Sequence, residues 1–176
     1  DPMLENTEMG PLCTTGQLET IEAELVIAVT EGATVVCGGR RADASSEMFF
    51  QPTSLDCPSP DLRIVDTELF GPVVAVLRFK DEADAIRFAN HIEHGLAAGI
   101  FARLGARSHR VVKAVKASII WINTYRAVSL ISEFGGMKSS GFGRESGYQA
   151  VYDYTRAKTV WVNTSDAPLG SQFVAR

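Results

Sequence analysis

Two segments hold the residues whose types and spacing could do chemistry. The first is Glu68-Leu69-Phe70-Gly71-Pro72-Val73. Pro72 disfavours the α region for Gly71 and so forces an extended approach to the run that follows. That sets Glu68 and Phe70 on a fixed turn at the N-terminal end of a strand. A carboxylate held there can accept charge-assisted hydrogen bonds from the vicinal hydroxyls of a sugar. The same residues also read as a surface glutamate and a core phenylalanine, and the sequence leaves both readings open. The second segment is FGGMKSSGFGRE, which begins at Phe134. Its first ten residues contain four glycines, a density that calls for unusual backbone angles or close backbone approach. It lacks the G-K-[ST] of a phosphate-binding P-loop. The spacing of Gly141, Gly143 and Gly147 misses the dinucleotide fingerprint by one residue. An ordered functional loop and a long plain connection are both consistent with it.

Other reactive side chains offer less. His91 and His94 stand three apart near the end of an expected helix. They could share a face there, but two ligands without a third make no metal site, and none is read. Cys13, Cys37 and Cys57 are an odd, scattered set without a C-x-x-C pair. They read as buried, inert thiols in a reducing compartment, and the expected location is cytoplasmic. No nucleophile elbow occurs, so no catalytic residue is assigned.

The elements that must position these segments alternate. Thr14 and Gln17 form a capping box ahead of a helix with apolar spacing at Leu18, Ile21, Leu25, Ala28 and Val29, and Gly32 is placed to end it. Strands are expected at 33–37, 49–55, 73–79, 96–101 and 118–123, and a helical turn at 61–69. Helices are expected from Asp81 to a stop at Gly95, over 106–116 with a solvated basic face, and over 145–155. This order argues for an α/β fold, a largely parallel sheet with flanking helices. A last run, KTVWVN, opens at Lys158 and closes at Asn163. Nothing after it returns it to the sheet, so it reads as a strand that pairs with another domain or subunit. The expected division is residues 1–156 as the α/β portion, 157–165 as that strand, and 166–176 as a mobile tail.

The bulk properties narrow the function classes. The chain has 176 residues, 45% of them hydrophobic, with a net charge of −4. Mild acidity argues against a nucleic-acid partner. No run approaches the roughly 18 apolar residues of a membrane span, and no basic stretch followed by an apolar one, the pattern of a secretory signal, is visible at the start of the sequence.

In MGPLCT, ELFGPV, GLAAGIF, WINTYR, FGGMKSSGFGRE and KTVWVN, in that order, the chain resembles the NAD(P)-dependent aldehyde dehydrogenases over residues 1–165. The resemblance implies that Glu68 holds the nicotinamide ribose and that Phe70 lies beside the ring. It implies that Phe134 lines the substrate tunnel, with Arg126, Ala127 and Val128 in the adjoining specificity loop. It implies a homo-oligomer built through residues 158–163. It implies that in the parent enzyme a cysteine thiolate attacks the aldehyde, hydride passes to NAD or NADP, and water hydrolyses the resulting thioester to release the carboxylate. The segments with that cysteine, the general-base glutamate and the nucleotide domain are expected before Asp1. This chain therefore reads as a C-terminal portion, inactive alone and without tight cofactor binding. Glu133 stands where the family usually has proline, and Ser129-Leu130 where it commonly has Ser-Pro. Both changes free the substrate loop. A different class of function stays open: a non-catalytic assembly module that associates through its last strand.

Overall fold

The computed structural model describes residues 2–42 and 48–167. Helix α1 spans Thr15–Thr30. Its start is chemical: the Thr14 hydroxyl accepts the Gln17 N–H at 3.2 Å, while the Gln17 side-chain oxygen accepts the Cys13 N–H at 3.3 Å. Gly32 ends it at φ +106°, a left-handed angle that costs glycine nothing. Leu18, Ile21, Leu25 and Ala28 form its buried stripe.

Strands β1 (Thr34–Cys37) and β2 (Thr53–Cys57) pair antiparallel. β2 begins later than the run 49–55 implied, because Pro52 has no N–H to give a ladder. The single-turn helix α2 (Arg63–Asp66) leads to β3 (Val73–Leu77), which pairs parallel with β2. The core lies between α1 and this sheet: Leu18, Ile21, Leu55, Cys57, Leu62 and Ile64 pack together.

Helix α3 (Glu82–His91) is capped by the Asp81 carboxylate, which accepts the Asp84 N–H at 2.9 Å. It stops earlier than Gly95. The Lys138 ammonium donates to the carbonyls of Asn90 at 3.3 Å and Ile92 at 2.7 Å, satisfying the end of the helix from outside. Gly95 belongs instead to β4 (His94–Gly95), which pairs antiparallel with β7 (Met137–Lys138). β5 (Ala97–Ile100) and β6 (Ile119–Ile122) pair parallel, with helix α4 (Gly105–Ala114) crossing between them. Both parallel pairs agree with the largely parallel pairing that the alternation implied, but they lie in separate sheets, and β1 adds an antiparallel strand to the first of them only.

Two expectations near the end differ. Helix α5 is only Ala150–Asp153. Ser146 at φ +59° and Gly147 at φ +64° bend the chain where the helix was to begin. Residues 158–163 form no ladder among the described residues, and all of them are exposed. Residues 168–176 of the expected tail lie outside the described residues. No helix among those described is long and apolar enough to cross a membrane.

Candidate functional site

Glu68 and Phe70 sit on the irregular turn between α2 and β3, as the Gly71-Pro72 pair required. Phe70 has φ +51°, a rare angle for a bulky residue. The Gln17 side-chain amide donates to its carbonyl oxygen, so the first turn of α1 braces the turn. Gly71 packs against the Ile21 side chain so closely that a Cβ would collide with it. The Phe70 ring is thereby turned outward and is 76% exposed.

The Glu68 side chain is 55% exposed, and its Oε2 lies 3.5 Å from His94 Nε2, whose side chain is 28% exposed. The two flank a cavity of about 510 Å³ that Gly95, Lys116, Ser139 and Ser140 also line. A smaller hollow of about 280 Å³ lies against Glu68, Phe70 and Gly71.

Ser139 and Ser140 of the glycine-rich segment line the cavity of about 510 Å³, and two glycines of the segment are required by contact. A Cβ on Gly136 would run into the backbone at Ser140, and one on Gly135 into the backbone at Gly143. Arg144 Nη1 donates to the carbonyls of Gly136 and Gly143, both at 2.8 Å. Phe134 is half-buried and exchanges both backbone hydrogen bonds with Glu145 at 2.7 Å. The Ser140 hydroxyl accepts the Gly95 N–H at 3.0 Å, which ties this loop to the residue beside His94.

Arg126, Ala127 and Val128 follow β6. Asn123 at φ +53° and Arg126 at φ +59° turn the chain back. The Ala127 carbonyl accepts the Trp121 indole N–H at 2.8 Å. The Arg126 guanidinium lies 5.8 Å from the Tyr125 ring centroid, and Val128 is 71% exposed.

The histidines do not share a helix face. His91 closes α3 with Nε2 3.7 Å from Asp61, whereas His94 lies in β4 against Glu68. Of the three thiols only Cys57 is buried; Cys13 and Cys37 are exposed. Cys37 lies on edge strand β1 and Cys13 in the loop before α1, so neither has the cover that was expected. Burial pushes the Cys57 thiol up. Sequence reasoning gave His94 no role, Gln17 only its capping role, and Arg144 none. Their partners are distant in sequence or are backbone carbonyls, which leave no motif.

The groups present suit a nicotinamide ribose: a half-exposed carboxylate beside a cavity, next to an outward aromatic ring. The chain also matches the aldehyde dehydrogenase family model over residues 1–160. It is 44% identical over 171 residues to (Z)-2-((N-methylformamido)methylene)-5-hydroxybutyrolactone dehydrogenase of Acinetobacter baylyi, covering 97% of this chain and 35% of that protein. It is 41% identical over 165 residues to a betaine aldehyde dehydrogenase of Brucella anthropi, covering 92% and 34%. Among solved structures, PnpE from a Pseudomonas species superposes with a TM-score of 0.90 at 39% identity, covering 98% of this chain and 36% of that one. Betaine aldehyde dehydrogenase from Staphylococcus aureus, in complex with NAD+, superposes at 0.89 and 34% identity, covering 98% and 35%. The chain thus spans about a third of the length of these relatives, and it belongs to the aldehyde dehydrogenase family.

Proposed function

We propose that this chain is the C-terminal portion of an NAD(P)-dependent aldehyde dehydrogenase that oxidises a small aldehyde to its carboxylate. The observation that carries the reading is the Glu68–Phe70 turn, where a carboxylate borders a cavity and an aromatic ring is held outward by a braced backbone. Glu68 would accept hydrogen bonds from the ribose hydroxyls, and Phe70 would lie beside the nicotinamide. The bound nicotinamide supplies the hydride acceptor. Fixing the ribose sets its distance to the reacting carbon, and positioning of this kind lowers the barrier. Phe134, Arg126, Ala127 and Val128 would border the aldehyde. The reactive cysteine and general base are contributed by sequence outside this chain. The 176 residues alone are therefore inactive by this reading and do not hold the cofactor tightly.

In the full-length enzyme Glu68→Gln is expected to slow hydride transfer about 10- to 100-fold, the loss of a charge-assisted hydrogen bond of roughly 1.5–3 kcal/mol. Single-turnover nucleotide reduction measures this, and an unchanged rate would overturn the role.

A second reading rests on Val160, Trp161 and Val162, exposed by 70%, 91% and 76%. Apolar side chains presented together without cover mark an interaction site. Residues 158–163 would pair with a second copy of the protein, making a homo-oligomer.

A further inference from the structure

We propose that His94 is a positioning residue for Glu68, holding its carboxylate at the cavity where the ribose hydroxyls would be gripped. The inference rests on the ribose role of Glu68.

The two partners are anchored very differently. Glu68 follows the single turn α2 and lies in a segment without regular structure. Its side chain has several rotatable bonds and is 55% exposed. Left alone, it would sample many rotamers, and a ligand would have to bear the entropy of ordering it. His94, in contrast, is fixed from three sides. Its backbone pairs with Lys138 in the β4–β7 ladder. The Lys138 ammonium also clamps the chain just ahead of it through the Ile92 carbonyl at 2.7 Å. The next residue, Gly95, donates to the Ser140 hydroxyl at 3.0 Å. Gly95 cannot be replaced without pushing on the Lys116 backbone, so the β4 backbone sits in a tight slot.

Nε2 of the ring carried by this fixed backbone lies 3.5 Å from Glu68 Oε2. Among the described residues, His94 is the basic side chain that approaches the Glu68 carboxylate within 4 Å. An imidazole can offer an Nε2–H in its neutral tautomer as well as in its cationic form, so a small shift of the flexible Glu68 side chain would let either form of the ring donate to it. One carboxylate oxygen faces His94, which leaves the other for a ligand. The glycine-rich loop thereby reaches Glu68 indirectly: Lys138 and Ser140 hold β4, β4 holds His94, and His94 holds the carboxylate.

The test uses the full-length enzyme with Glu68→Gln, His94→Phe, His94→Gln and the double variant Glu68→Gln/His94→Phe. Phenylalanine keeps the ring and removes the donor, while glutamine can return an N–H near the Nε2 position. His94→Phe is expected to raise the KM for the nicotinamide cofactor about three- to five-fold, the scale of a partly exposed ion pair. The KM for the aldehyde should stay put, and His94→Gln should restore most of the loss. The double variant should be no worse than Glu68→Gln alone, because the two residues act through one contact. If His94→Phe does not accumulate, His94→Leu serves as the donor-free variant. Wild-type cofactor KM in the donor-free variant, with Glu68→Gln impaired, overturns the inference and leaves the ribose reading standing. Additive losses, or a His94→Gln variant as poor as His94→Phe, overturn it as well. A Glu68→Gln variant that behaves as wild type removes the ribose reading itself.

Discussion

Gln17 is where one side chain serves two structures. Its oxygen completes the capping box at the Cys13 N–H, and its amide nitrogen donates to the carbonyl of Phe70, 53 residues away. The first function was legible, since a threonine followed three residues later by glutamine ahead of an apolar stripe is a local pattern. The second was not, because nothing near Gln17 or Phe70 encodes a long-range contact to a backbone oxygen. The same limit hid His94, whose partner Glu68 lies on another element. The two functions of Gln17 can be separated. Gln17→Glu keeps the capping oxygen but places an acceptor against the Phe70 carbonyl, whereas Gln17→Met removes both bonds. Both variants are expected to lower stability by about 1 kcal/mol or more, read from the urea unfolding midpoint. A Gln17→Glu protein as stable as wild type would mean that the brace on Phe70 contributes nothing.

At the scale of elements, α3 and α4 are joined by polar contacts: Asn90 Nδ2 donates to the Ala114 carbonyl at 2.8 Å, and ion pairs add to it. Arg110 makes a two-pronged contact with Glu82, at 3.0 and 2.9 Å, and Arg107 approaches the same carboxylate at 3.3 Å. The basic face of α4, legible as a charge pattern, is thus partly a clamp. Its partner could not be read, because helical spacing shows which residues share a face and not what that face meets. The Arg110 guanidinium holds the Glu82 carboxyl below its ordinary value of 4.5. A carboxyl depressed in the folded state stabilises above its unfolded value and loses that contribution as pH falls through the lower, folded one. Glu82→Gln is therefore expected to lower the thermal midpoint slightly at pH 7. The gap to wild type should narrow as pH drops below 4.5, and high salt should shrink it at neutral pH. A gap that persists unchanged at the acid end would assign the effect to packing instead.

The buried side chains are distributed unevenly over the whole molecule. The core cluster lies between α1 and the first sheet, and beyond β3 the one buried hydrophobic side chain among the described residues is Val115. The alternation of helix and strand implied largely parallel pairing, and β5 and β6 do pair in parallel. It could not show that they form a two-stranded sheet of their own, since strand order is a long-range property. A parallel pair with so little burial calls for further polypeptide on its faces and edges, which fits a chain spanning about a third of its relatives' length. Residues 158–163 present the same need most openly, because Val160, Trp161 and Val162 face solvent with no ladder partner among the described residues. If this run joins a second copy through its backbone, the N–H groups of Val160 and Val162 point to one side and that of Trp161 to the other. Proline removes such a donor. In the full-length protein, Val160→Pro with Val162→Pro, or Trp161→Pro, is expected to reduce the oligomer to a smaller species, whichever side carries the ladder. Light scattering measures the mass. A wild-type mass in both variants would rule out pairing through this segment.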